Sequence, residues 1–328
     1  MAFGLIQMEE RELRPRPERK EPMEKVQERR EAGGVAAASR LHILLLGRNL
    51  SILQEFLCSM NENTSEALSG QGLAFYTREL DSISSLIARK KRLEQFCWSF
   101  SSADWSYPED DEAERTYMFT VSPSGSQDRA LDLVIRCVTP KASFSWADVD
   151  AVWLLSDGAL LHDPGDPFLD VLRGALEELS SQEDAVPACL IVSQLEELGR
   201  FGGVGGQSLL PSKVSAQITT LCRETFLADC PAAIIPVQVY GGMECAGMDE
   251  KHDPVLRIGS SSFYQSYVPD NCQIPCLYTI QAICSARSAD YFADTAESGL
   301  LRGIRSHYSG KFGDPQWAPE LLRGRDET

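Results

Sequence analysis

Gly47, Arg48 and Asn49 close the apolar run "LHILLLG" (41–47) and stand just ahead of "ILQEFLCSM" (52–60), where Ile52, Phe56 and Leu57 have helical spacing. A buried strand, a glycine and a helix start are the parts from which a chain builds a phosphate cradle. Backbone N–H groups at a helix amino end face the anion, and glycine lets the backbone come close. Here the pattern starts and does not finish, because no lysine and no second glycine come after it where phosphates need them. Arg48, Asn49 and the amides of the helix start are the groups left that could touch a phosphate.

Other stretches invite chemistry and carry less of it. The loop "SDGALLHDPGDP" (156–167) gathers Asp157, His162, Asp163 and Asp166, a set able to coordinate a metal or serve as acid and base, but prolines and glycines among aspartates also describe an ordinary solvated loop. "RFGGVGG" (200–206) lacks the spacing of a dinucleotide fingerprint and reads as a flexible linker. Four histidines, His42, His162, His252 and His307, have no partner in sequence that marks a catalytic pair, and neither G-x-S-x-G nor H-E-x-x-H occurs. Cys272 and Cys276 are spaced to meet on one helical turn, yet Pro275 lies between them and no second pair completes a zinc site. No catalytic residue and no metal ligand is assigned.

The totals narrow the function classes. The chain has 328 residues and a net charge of -17, and its first forty residues are nearly balanced, with eight acidic and nine basic side chains. The acidity therefore belongs to the chain beyond Arg40. Such a surface repels phosphate backbones and anionic headgroups, which argues against nucleic-acid binding and membrane-surface roles. No apolar stretch approaches the roughly 20 residues of a membrane span. The ten cysteines are scattered, several inside apolar runs, as reduced core thiols of a cytoplasmic protein would be.

The elements that must position these residues alternate. The segment 1–40, with Pro15, Pro17 and Pro22 among its charges, is expected to be a disordered arm. Strands are expected at 41–47, 115–121, 130–138, 150–156, 187–193 and 232–240, and helices at 52–60, 80–100, 167–181, 211–228 and 274–292. The turn "SPSGSQD" makes 115–121 and 130–138 an antiparallel hairpin. The 80–100 helix is expected to carry its basic residues on its outer face. Strands apolar throughout, rather than at alternate positions, are those covered on both faces, as in a doubly wound α/β fold with a mostly parallel sheet. A domain over 41–293 and a partly ordered extension over 294–328 complete the expected organisation.

In this order of elements, residues 40 to 293 resemble a Ras-like GTPase domain of the P-loop NTPase superfamily. The resemblance implies a first loop G-x-x-x-x-G-K-[ST]. Counted from Gly47, the second glycine is Ile52, the lysine is Leu53 and the hydroxyl residue is Gln54. Losing the lysine removes charge-assisted hydrogen bonds worth about 1.5 to 3 kcal/mol each. The D-x-x-G motif for magnesium and water corresponds to "CVTPKASF" (137–144), with neither acid nor glycine; Thr139 and Ser143 are its only hydroxyls near the turn. The base-reading [NT]-K-x-D loop corresponds to Ser193, Gln194, Leu195 and Glu196, softened replacements that any polar turn after a buried strand also supplies. The last loop corresponds to "QVYGG" (238–242).

The resemblance thus implies a degenerate G-domain, a pseudo-GTPase acting through protein partners or as a scaffold. Gly47, Arg48, Asn49, Ser193, Gln194 and Glu196 would be a vestigial nucleotide site. No cofactor is expected beyond GTP or ATP held without magnesium. The competing expectation is an enzyme, either a divergent NTPase using Arg48 and Asn49 or a metal site on the 157–166 aspartates.

Overall fold

Strand β1 (Ser39–Leu46) divides its side chains between two apolar layers: Leu41, Ile43 and Leu45 point to one face of the sheet, Leu44 and Leu46 to the other, and all are buried. That alternation within an unbroken apolar run is what a central strand needs. A computed structural model describes residues 39–98, 112–123, 130–142, 149–157, 167–180, 186–193, 232–240, 243–248, 254–258, 267, 269–286 and 320–321. The first expected helix is α1 (Leu50–Ser69), followed by β2 (Leu73–Thr77) and α2 (Leu80–Trp98). Gly72, at φ +70°, makes the turn into β2. The expected hairpin is present as β3 (Glu114–Pro123) and β4 (Leu131–Val138). Then come β5 (Ala151–Asp157), α3 (Pro167–Ser180), β6 (Ala188–Ser193) and β7 (Ala232–Pro236). A separate two-stranded antiparallel sheet, β8 (Met243–Met248) and β9 (Pro254–Ile258), precedes α4 (Ile274–Ala286). Residues 211–228, expected to be helical, lie outside the described residues.

The main sheet runs β10-β7-β6-β5-β1-β4-β3-β2, where β10 is Glu320–Leu321. Its middle is parallel: β1 pairs with β4 and β5, β5 with β6, and β6 with β7. The fold is therefore mixed α/β with a mostly parallel sheet. Antiparallel pairing is wider than the single hairpin expected from sequence, since β2 also pairs with β3 and β10 with β7. "LAFYT" escapes a reading by period because five residues leave little periodicity to see.

Both faces are covered. On one, α1 and α4 share a core with Leu41, Phe119, Ile135 and Trp153; on the other, Phe168, Leu172, Leu176 and Leu179 of α3 pack on Leu44, Val152 and Leu190. Trp153 belongs to the core, edge-on to Phe56 at 6.2 Å, with its Nε1 donating to Thr279 of α4 at 2.8 Å.

Every residue of α1 from Leu50 to Met60 is buried, including Ser51, Gln54, Glu55 and Ser59. It is enclosed by the sheet, by α2, by Val239 and Tyr267 at Ser59, and by Pro269 and Cys272 at Asn63. The basic residues of α2 do not form the outward face expected of them: Lys90 meets Glu62 of α1 at 2.8 Å and Arg89 faces Glu55 at 3.8 Å, leaving Lys91 exposed. The acids of α1 draw these cations inward. Leu80 and Ile87, 78% and 48% exposed, lie on the outer side of α2.

Candidate functional site

At β1 the order of strands reverses, with β4 on one side and β5 on the other, both parallel to it, and ligands of open α/β sheets bind at the carboxyl ends of strands at such a point. Gly47 sits there, its N–H donating to the carbonyl of Val138 at the end of β4 at 3.2 Å. The mixed, mostly parallel sheet fits a nucleotide-binding fold in this respect.

The loop that should surround phosphate is short. Only Gly47, Arg48 and Asn49 separate β1 from α1, so Ile52, Leu53 and Gln54 lie in the helix itself. Asn49 is its N-cap, in extended conformation, and its Oδ1 accepts from the N–H of Ile52 at 2.8 Å. That carboxamide oxygen occupies the place an anion would take at an uncapped amino end. The space is closed further by Leu53, which is fully buried, and a β-carbon added to Gly47 would run into its side chain. The glycine thus permits close approach, but what approaches is leucine. The guanidinium of Arg48 stands over the Phe168 ring, 5.8 Å from its centre, at the start of α3.

Gln54, at the position of the magnesium-holding hydroxyl, is buried, and neither its Nε2 nor its Oε1 has a hydrogen-bond partner. Thr139 is tied back to the chain, its N–H and its Oγ1 both donating to the Ala113 carbonyl at 3.0 Å; Ser143 lies outside the described residues. Ser193 ends β6, fully buried, with its hydroxyl donating to the Ser156 carbonyl at 3.4 Å. Gly47, Arg48, Asn49 and Ser193 therefore share the carboxyl edge of the parallel strands. Gln194 and Glu196 lie outside the described residues, as do residues 158–166 and the glycines of 200–206.

Sequence reasoning missed a polar seam beside this edge. Ser59 of α1 shares a 2.5 Å hydrogen bond with the Tyr267 hydroxyl and also lies 3.0 Å from the Val239 carbonyl. Asn63 donates to the Pro269 carbonyl at 3.1 Å and accepts from the N–H of Cys272 at 3.3 Å, while Gln238 and Asp270 form a two-bond bridge. Val239 and Tyr240 fall in the segment expected to correspond to the last nucleotide loop, and the seam pins it to α1. Glu55 lies in the same region, and burial raises its carboxyl from 4.5 to about 7 against the opposing pull of Arg89, Tyr240 and Arg92. Desolvation likewise holds the thiols of Cys58 and Cys189 up at about 12. These are inert core cysteines. Among the described residues there is no cluster of three or more His, Cys, Asp or Glu able to hold a metal, and no helix long and apolar enough to cross a membrane.

No family model and no curated protein matches the sequence. Among solved structures, the conserved domain of the dynein light intermediate chain is similar at 10% identity, over 82% of this chain and 98% of that one, with a TM-score of 0.29. The cytosolic domain of the T. maritima FeoB iron transporter in its apo form is similar at 9% identity, over 82% and 98% of the two chains, with a TM-score of 0.25.

Proposed function

We propose that this protein is a degenerate Ras-like G-domain, a pseudo-GTPase that works as a protein-interaction or scaffolding module in the cytoplasm and does not hydrolyse nucleotide appreciably. One observation carries the reading: Leu53 lies on Gly47 beneath a helix start that Asn49 caps, so the chain itself fills the space of the phosphates. The parallel run β4-β1-β5-β6-β7, with antiparallel β3 outside β4, supports the Ras-like part of the proposal. The acidic composition of the chain beyond Arg40 and the exposed Leu80 and Ile87 on α2 support binding through protein surfaces.

Titration with labelled GTP and ATP, with and without magnesium, tests it. The expected result is no saturable magnesium-dependent binding at micromolar protein. Tight magnesium-dependent binding would instead favour a divergent NTPase.

A further inference from the structure

We propose that the outer side of α2 is a dimer interface, on which a second copy of this chain lays its own α2 in the antiparallel direction about a two-fold axis. This names a partner for the protein-binding surface proposed above and rests on that part of the reading, not on the fate of nucleotide.

Leu86 and Leu93 turn α2 towards the core, while Leu80, Ser84, Ile87 and Lys91 follow one another at helical spacing along its exposed side. Leu80 is 78% exposed and Ile87 48%, and they are the large exposed apolar side chains among the described residues. Ala88, beside Ile87, is exposed as well. The charges of the helix sort by direction. Arg89 faces Glu55, and Lys90 meets Glu62 and Glu94. Asp81 and Lys91 are exposed and form no ion pair or hydrogen bond with any described residue.

Those two charges select the occupant. They are opposite in sign and flank the apolar stripe, about 15 Å apart along the helix axis. A two-fold axis midway between them sets each Asp81 at the height of the partner's Lys91. The same axis brings Ile87 against the partner's Ile87 and Ser84 level with the partner's Ala88, small side chains that let two helices approach closely. Leu80 then lies along the aliphatic stem of the partner's Lys91. One patch serves both copies, as an isologous contact requires. A parallel arrangement would bring like charges together instead. The net charge of -17 repels at long range, but separations beyond about 8 Å are screened at physiological salt. Two helix faces bury at most about 1,000 Å² in total, the low end for specific interfaces, so the dimer is a weak one.

Sedimentation velocity of the full chain from about 5 to about 500 µM tests this. The mean mass is expected to rise from that of the monomer towards twice it, with half-association on the order of 10–100 µM. Ile87→Asp is expected to hold the chain monomeric throughout. Asp81→Lys and Lys91→Asp, which leave the apolar stripe intact, are each expected to weaken association about tenfold. Together they are expected to restore it to within about threefold of the wild type, since the swap returns both pairs. Circular dichroism checks that each variant remains folded, as expected at exposed positions. A wild type monomeric at every concentration overturns the proposal, and so does a dimer indifferent to Ile87→Asp or a double swap no better than the single ones. A monomer that binds no nucleotide would overturn the dimer and leave the pseudo-GTPase part standing.

Discussion

The Leu53 side chain rests on Gly47 so closely that a methyl group at position 47 would overlap it, with the Leu53 Cγ only 3.1 Å from that methyl position. The glycine is therefore retained by packing, whatever its history with phosphate. Gly47→Ala is expected to destabilise by about 1–3 kcal/mol through overpacking, and Leu53→Ala by about 2–5 kcal/mol through the cavity it leaves. Combined, they should cost clearly less than the two together, because the alanine methyl enters the space the leucine vacates. Urea denaturation of the four proteins measures this, and strict additivity would show that the two side chains do not meet.

Leu53→Lys restores the residue of the resembled family and tests whether its loss alone silences the site. It should not restore binding, since the ammonium would enter a dry core beside a capped helix end. The expected outcome is a loss of about 3 kcal/mol or more, with no gain in labelled-GTP affinity. A variant that folds normally and binds GTP with magnesium would mean that the cradle is intact but for one side chain.

Asn49→Ala removes the acceptor from the Ile52 N–H, and about 1 kcal/mol of stability should go with it. Asn49→Asp keeps the acceptor and adds a negative charge at the positive end of the helix, so it should lose little or nothing. Thermal melts of both distinguish a structural cap from a residue kept for a ligand, because the latter predicts no preference for aspartate.

The carboxyl of Glu55 holds its proton up to about 7 in the folded protein against 4.5 ordinarily. Between those values the native state binds more protons than the unfolded chain, so this group makes stability fall as pH rises through the window and level off above it. The whole loss is on the order of 3 kcal/mol for a fully buried group. Glu55→Gln should therefore be more stable than the wild type at about pH 8, with the advantage shrinking towards pH 5. Equal pH profiles of the two in chemical denaturation would place the Glu55 titration outside that window.

The alternation of elements was legible because parallel strands covered on both faces leave unbroken apolar runs such as "LHILLL" and "ACLIV", and because the turn at 122–128 marks a hairpin. The position of Gly47 just after β1 and of Ser193 at the end of β6 was legible too, since both close such runs. What lay beyond reach was the enclosure of α1. Gln54, Glu55 and Ser59 look like the wet side of an amphipathic helix, and the partners that bury Ser59, Val239 and Tyr267, are 180 and 208 positions away. The direction of Arg89 and Lys90 was lost for the same reason, as their partners Glu55 and Glu62 sit on a separate helix. Short β2 and two-residue β10 offered no period to read.

The enclosure of α1 also bears on how the chain assembles and fails. A helix surrounded by β1 at one extreme of the domain and by α4 at the other cannot settle until both have arrived, so these distant contacts are slow to form and are made together. Excising residues 267–286 should therefore remove the cooperative melting transition of the remainder rather than trim a peripheral piece.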